Sequence, residues 1–264
     1  MSDSNPDLLA HRPPPTYAFG LDPTPLNFLK FLTRRFLSCL YLNARPQVTP
    51  GISLFGFTLF TDSRPGVPKF PSCYALDVAL GLKPKTVLDV GSGGGYHALA
   101  FSNAGSKVLC VDYGTSDYAQ QTDIRGLNIV NTDFNQFAPP YKFDLVWASH
   151  ILEHQRNVGS FIEKLIECCS ENGHVCITVP DPHRTLWGGH LTLWSPGLLA
   201  YNIVLCGVDL SASRLVRGTN EFSIIFKPKR IDLPPLTQDK GDLTLLRKLL
   251  PPTCFEQSDP WVEW

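Results

Sequence analysis

Five apolar runs between positions 86 and 180 alternate with segments whose apolar residues recur at helical spacing. Near-continuous apolar runs of this length predict strands that are covered on both faces of a sheet. The predicted strands are TVLDV (86–90), KVLCVD (107–112), LNIVNTD (127–133), FDLVWAS (143–149) and GHVCITVP (173–180). The segments between them predict helices at 96–104, near 117–124 and at 157–170. Strands that alternate with helices predict a doubly wound α/β fold with a mostly parallel sheet.

The pattern changes after the fifth strand. Ser195 and Pro196 predict the start of a helix, because serine is a good N-cap and proline suits the first helical position. Two further runs, near 212–217 and at 221–227, predict strands, and the Gly-Thr-Asn between them favours a hairpin. The sequence therefore predicts seven strands, of which the last two form a hairpin.

Both ends of the chain lack this alternation of strands and helices. We divide the chain into an N-terminal extension (1–71), a central domain (72–228) and a C-terminal extension (229–264) with one short amphipathic helix. Residues 25–43 predict a helix with an apolar stripe and basic residues but no acidic ones, and residues 52–60 predict a short strand or hairpin. The basic helix has two interpretations: a cap over a ligand cleft, or a peripheral contact with an anionic membrane.

Composition narrows the function classes. The formal net charge of −1 over 264 residues argues against a protein that binds nucleic acid electrostatically. No apolar run approaches the ~18 residues of a spanning helix. The eight cysteines include no CxxC pair, and several lie within apolar runs, which indicates buried thiols in a reducing, cytoplasmic environment.

The segment TVLDVGSGGGYHALAF (86–101) is the strongest chemical signal. Its glycines follow a predicted strand and precede a predicted helix, where they allow a sharp turn and a close approach of the backbone to a ligand. A dinucleotide fingerprint would place a third glycine where Tyr96 stands. Asp89 before the turn favours a ligand with an ammonium and a sulfonium over one with a pyrophosphate.

This segment resembles motif I of the class I S-adenosylmethionine-dependent methyltransferases, and the likeness extends from Thr86 to about Lys227. The residues SHILEH after the fourth strand are similar to the signature of the type 11 small-molecule branch. The resemblance implies a Rossmann-like sheet of seven strands, mostly parallel with an antiparallel last strand, and S-adenosylmethionine as cofactor. It assigns the glycines to the methionine moiety, Asp112 to the ribose, and Asp133 with Phe134 to the adenine. The full set of predicted cofactor contacts is Asp89, Gly91, Ser92, Gly93, Gly95, Asp112, Tyr113, Asp133, Phe134 and Ser149.

The acceptor side carries fewer constraints. The fourth strand lacks the N/D-P-P-Y/F end of enzymes that methylate nucleobase amines, and the chain lacks a Pro-Cys nucleophile. A hydroxyl acceptor benefits from a base with a pKa near neutrality, so histidines are the first candidates. We favour His190, then His183, both in the loop after the fifth strand, and then His150 at the end of the fourth strand.

Two neighbouring features of that loop have open interpretations. Trp187 and Trp194 either stack on an acceptor ring or pack on the sheet edge. Asp181, His183 and His190 are a conceivable metal set, but no spacing fixes their geometry, so we predict no metal. For Glu153 and His154 we expect a role in fixing the backbone after the fourth strand.

The sequence thus predicts a cytoplasmic methyltransferase that acts on a small acceptor, first of all a hydroxyl of a sugar, a polysaccharide precursor or a secondary metabolite. N-methylation of a small amine is the first alternative. A non-catalytic protein that binds an adenosine ligand is the alternative from another class. The oligomeric state is left open.

Overall fold

Seven strands form one mixed sheet in a computed structural model of the chain. The structure describes residues 53–54, 57–58, 71–120, 126–183, 185–218 and 220–255. The strands are β3 (Thr86–Val90), β4 (Lys107–Asp112), β5 (Asn128–Asn131), β6 (Phe143–Ser149), β7 (Cys169–Pro180), β8 (Arg214–Arg217) and β9 (Glu221–Phe226). Their order is β5-β4-β3-β6-β7-β9-β8, and only the pairs that involve β9 are antiparallel. The predicted Rossmann-like, seven-stranded fold is confirmed. Two short strands, β1 (Ser53–Leu54) and β2 (Phe57–Thr58), form the hairpin predicted within 52–60.

Helices connect the strands where the sequence predicts them. The described helices are α1 (Cys73–Gly81), α2 (Tyr96–Asn103), α3 (Asp117–Gln120), α4 (Val158–Cys168), α5 (Pro196–Leu205) and α6 (Asp242–Leu246). The α5 start is as predicted: the Ser195 hydroxyl accepts a hydrogen bond from the Leu198 N–H at 3.2 Å, and Pro196 occupies the first turn. Such a cap satisfies a backbone donor that the helix itself cannot pair.

The junction between α4 and β7 differs from the prediction. The helix ends at Cys168 rather than Ser170, and β7 begins at once at Cys169, four residues before the predicted start. Gly173 explains the extra pairing, because a Cβ at this position would lie 2.8 Å from the carbonyl oxygens of Phe143 and Asp144. Cys169 pairs with Phe143 and His174 pairs with Leu145, so the polar residues between them form a bulge, which the close backbone approach at Gly173 permits.

The sheet brings the ends of distant segments to one edge. Strands β3 to β7 run parallel, so their carboxyl ends meet on the same side, where ligands bind in open α/β sheets. Because β9 is antiparallel to β7, its first residue, Glu221, also lies at that edge. The centre of β6 is fully buried, with Leu145, Val146 and Trp147 at 0% exposure, so the edge rests on a rigid core.

The described part of the C-terminal extension packs on this core. Leu246 and Leu250 belong to the main hydrophobic cluster, and the Leu210 N–H donates to the Leu249 carbonyl at 2.9 Å. The predicted basic helix at 25–43 lies outside the described residues. Within those residues, no helix is long and apolar enough to cross a bilayer.

Candidate active site

The glycine turn between β3 and α2 forms the floor of a cleft at the carboxyl edge of the sheet. Gly91 has φ +70°, and a Cβ there would lie 2.9 Å from the Cδ1 atom of Ile151. Only glycine combines this left-handed backbone with so close an approach. The turn therefore presents bare backbone to the cleft, as the sequence predicts.

Asp112, at the end of β4, accepts hydrogen bonds from two backbone N–H groups. Its Oδ2 accepts a hydrogen bond from the Gly93 N–H and its Oδ1 one from the Gly114 N–H, both at 2.8 Å. Each carboxylate oxygen has two lone-pair directions, so both retain capacity for further donors. The predicted ribose contact is thus held in place by the turn itself.

Asp89 lies beneath the same turn and is 1% exposed. Burial, together with the nearby Asp112 charge, raises the pKa of Asp89 to about 7. Its Oδ2 finds no hydrogen-bond partner among the described residues. A buried carboxylate oxygen without a partner is costly, so this position suits a cationic or donor group of a ligand.

At the far end of the cleft, Asp133 caps a short 3₁₀ turn. It accepts a hydrogen bond from the Asn135 N–H at 2.8 Å, which is the main reason that its pKa is lowered, and Tyr113 also bonds to it. Phe134 is buried and packs edge-on against Phe161, with ring centroids 5.2 Å apart. A carboxylate beside an apolar ring wall fits a flat base with an exocyclic amine.

The cleft brings together five of the ten predicted cofactor contacts, namely Gly91, Asp112, Tyr113, Asp133 and Phe134. Its lining residues are Val90, Gly91, Val111, Asp112, Tyr113, Thr132, Asp133, Phe134, Ile151, Gln155 and Phe161. The residues fit an adenosyl ligand, because bare backbone, two acidic strand ends and an aromatic wall follow one another in that order. Sequence reasoning missed Ile151, Gln155 and Phe161, whose apolar or neutral side chains carry no separate signal.

Ser149 and His150 lie in a different environment. The Ser149 hydroxyl bonds to the Ser72 hydroxyl at 2.7 Å, so Ser149 is joined to the start of α1.

His150 follows directly and contacts two carboxylates. It has φ +54°, its Nε2 lies 2.6 Å from Glu221 Oε2, and its Nδ1 lies 3.4 Å from Glu153 Oε1. Burial disfavours the imidazolium, but the two carboxylates outweigh it and raise the pKa of His150 to about 9. Near neutral pH both ring nitrogens are committed to carboxylates, which argues against His150 as a proton acceptor.

His183 and His190 lie together in the loop after β7. The His183 ring stacks on Trp187 at 4.2 Å between centroids, and the His190 ring is 5.6 Å from that of His183. His190 Nδ1 is buried without a hydrogen-bond partner in the described chain, and burial lowers the pKa of His190. A neutral imidazole with a spare nitrogen can accept a proton or bind a cation.

The two tryptophans and Asp181, which the sequence analysis also considered, do not lie together at one site. Trp187 is 52% exposed, whereas Trp194 is buried in the core and does not face an acceptor. Asp181 pairs with Arg217 at 2.8 Å, so this carboxylate already has a cationic partner.

A short 3₁₀ turn, Leu152–His154, fastens the loop to the end of β6. The Glu153 carbonyl accepts a hydrogen bond from the Leu191 N–H at 2.7 Å, and His154 Nδ1 lies 2.7 Å from the Gly189 carbonyl oxygen. The expected role of Glu153 and His154 in fixing the backbone agrees with these contacts. Glu221, which the sequence analysis missed, closes the same edge from β9, and only the antiparallel topology brings it there.

Comparison with known proteins adds a family assignment. A family described as "Methyltransferase domain" matches residues 73–211. Ubiquinone biosynthesis O-methyltransferases of Haemophilus ducreyi and Rickettsia typhi are similar to the chain, with 29% and 31% identity over 60% and 55% of its length. The matched regions span 66% and 55% of those two proteins. A crystal structure of Burkholderia thailandensis 1,6-didemethyltoxoflavin-N1-methyltransferase aligns with a TM-score of 0.48 and 16% identity over 80% of this chain and 92% of that one.

Proposed function

The chain belongs to the class I S-adenosylmethionine-dependent methyltransferase family, and from this premise we propose that it transfers a methyl group to a small hydroxyl acceptor. One observation carries the proposal. Ile151 and Gln155 line the cleft, and the residues between them, Glu153 and His154, contact the histidine loop. The turn from Ile151 to Gln155 therefore contacts both the cofactor cleft and the polar loop that we propose as the acceptor wall.

We assign the cofactor side to the predicted residues that surround the cleft. S-adenosylmethionine, when bound, supplies a methyl group already activated on a sulfonium. Gly91, Gly93 and Gly95 would bind its methionine moiety, and the unpartnered Asp89 oxygen would attract its ammonium through the turn. Asp112 would accept hydrogen bonds from the ribose, and Asp133 with Phe134 would hold the adenine. Tyr113 and Ser92 support these contacts, whereas the pairing of Ser149 with Ser72 favours a structural role for Ser149.

On the acceptor side, we place His190 against the hydroxyl, with His183 next to it. The spare, buried Nδ1 of His190 supports this assignment. A hydroxyl must lose a proton as it is methylated, whereas a neutral amine can attack before it loses one. The exposed Trp187 offers a face on which an acceptor ring could stack.

We further propose that the domain covers 72–228 and that the segments on either side are extensions, as the sequence predicts. Buried free thiols at Cys110, Cys168, Cys169, Cys176 and Cys206 support a reducing compartment such as the cytoplasm.

The test is methyl transfer from labelled S-adenosylmethionine to a panel of hydroxylated sugars, phenols and small amines. Label in an O-methyl product supports the proposal. Label only in N-methyl products would replace it by the amine alternative. Tight binding of S-adenosylhomocysteine without transfer to any acceptor would favour a non-catalytic adenosine-binding protein.

A further inference from the structure

Glu153 is a buried carboxylate with an unsatisfied oxygen. It is 1% exposed, and its Oε2 has no hydrogen-bond partner within the part of the chain that the structure describes. Its Oε1 lies 3.4 Å from His150 Nδ1 and 3.9 Å from His154 Nε2. The His150 ring therefore partners Oε1, whereas Oε2 is left without a donor, and a buried carboxylate oxygen without a partner is costly.

Two imidazoles face this carboxylate with suitable nitrogens. His154 Nδ1 lies 2.7 Å from the Gly189 carbonyl, so this nitrogen carries the proton and Nε2 retains its lone pair. A histidine that donates one N–H to a carbonyl in this way is oriented as metal-binding histidines are. His190 adds a buried Nδ1 without a partner in the described residues.

The three side chains converge. One carboxylate oxygen of Glu153 and one nitrogen each of His154 and His190 lie within 4.8 Å of one another. Metal–ligand bonds of about 2.0–2.2 Å require ligand atoms about 3–3.5 Å apart, so side-chain shifts of about 1 Å would complete a site. Gly188 and Gly189, which precede His190, give the loop freedom for such a shift.

We propose that Glu153, His154 and His190 bind a divalent metal ion of the Zn²⁺ or Mn²⁺ class on the acceptor side of the cleft. The two imidazoles suit Zn²⁺ better than Mg²⁺ or Ca²⁺, which prefer oxygen ligands, and the carboxylate also admits Mn²⁺. Three protein ligands leave a coordination position for water or an acceptor oxygen. This proposal departs from the prediction of no metal that we made from the sequence. It keeps His190 from the group considered there, but not Asp181, which pairs with Arg217, or His183, which stacks on Trp187.

The proposed metal binding does not depend on methyl transfer. The effect of the metal on the acceptor, in contrast, rests on the proposed function. A hydroxyl bound to a divalent cation loses its proton more readily than a free one. His190 would then act on the acceptor through the metal rather than as a free base.

The test is a titration of chelator-treated, untagged full-length protein with ZnCl₂ and MnCl₂, followed by calorimetry for Zn²⁺ and by electron paramagnetic resonance for Mn²⁺. We expect one site per chain for at least one of the ions. His154→Ala and Glu153→Gln each remove a proposed ligand, so they should weaken binding by at least on the order of 100-fold, the upper end of what loss of an outer-shell partner costs. His174→Ala, at a histidine within β7 and outside the cluster, should leave binding unchanged.

His154 is partly exposed, so its alanine variant should fold even if the Glu153 variant does not, and circular dichroism checks both. Absence of binding of both ions at millimolar concentration would overturn the proposal. Equal affinity in wild type and a folded His154→Ala variant would overturn it as well. Since no methyl donor is present, failure of methyl transfer in other assays leaves this result unaffected.

Discussion

The two sides of the sheet edge are built on different principles. The proposed cofactor side, at the ends of β3, β4 and β5, consists of glycine backbone and carboxylates that neighbouring N–H groups hold in place. The proposed acceptor side, at the ends of β6 and β7, consists of side chains from separate segments that contact one another, such as His150 with Glu221. We propose that the first side is preformed for the cofactor and that the second side sets the choice of acceptor. We therefore expect substitutions on the two sides to affect different kinetic quantities.

The largest effect should come from the acceptor side. His190→Ala should lower turnover by about 10²–10⁴-fold, the range for loss of a group that assists proton removal, and leave the affinity for S-adenosylhomocysteine unchanged. Turnover with an acceptor found in the screen and calorimetry with S-adenosylhomocysteine measure the two quantities. His174→Ala is the matched control. Wild-type turnover in His190→Ala would remove this residue from the proposed site.

On the cofactor side, Asp112→Ala should weaken S-adenosylhomocysteine binding by about 1–3 kcal/mol, because ribose hydroxyls and the Gly93 N–H would lose an acceptor. Calorimetry measures the change, and Asp232→Ala, an exposed acid in the C-terminal extension, is the control. Unchanged affinity, or tight binding of NADH instead, would contradict the assignment.

Gly91→Ala separates close approach from backbone strain. Gly105→Ala places an alanine at a similar positive φ in open space, which should cost about 1–2 kcal/mol of stability. Gly91→Ala adds a contact with Ile151 at 2.9 Å, so it should lower the melting temperature further and weaken S-adenosylhomocysteine binding. Equal effects of the two substitutions on stability and binding would show that the Ile151 side chain moves aside and that the close packing at Gly91 is not required.

The smallest effect is a pH dependence. Since burial, with the Asp112 charge, raises the pKa of Asp89 to about 7, its carboxyl is neutral below that pH and ionised above it. A bound ammonium favours the ionised form, so affinity for S-adenosylhomocysteine should rise about tenfold from pH 6 to pH 8, since one pKa unit corresponds to a factor of ten. Calorimetry at several pH values measures the slope, and Asp89→Asn should flatten it. A steep slope that survives in Asp89→Asn would assign the titration to another group.

The same contrast explains what the sequence could predict. The cofactor side is encoded locally: a strand, a glycine turn and acids at successive strand ends, with β3, β4 and β6 at the predicted residues. The acceptor side depends on contacts between residues far apart in the chain, such as Glu221 and His150, which are 71 positions apart. No periodicity reports such a contact. The early start of β7 was missed for a related reason, since Gly173 acts through a partner strand rather than through its own neighbours.

The division between the two sides is tested most directly by steady-state kinetics of Asp112→Ala and His190→Ala at increasing concentrations of S-adenosylmethionine. We predict that Asp112→Ala regains wild-type turnover at saturating donor, because only ground-state binding is lost. His190→Ala should keep a normal KM for the donor and a low kcat at every concentration. Recovery of His190→Ala at high donor, or a low kcat for Asp112→Ala that saturation does not restore, would contradict the division.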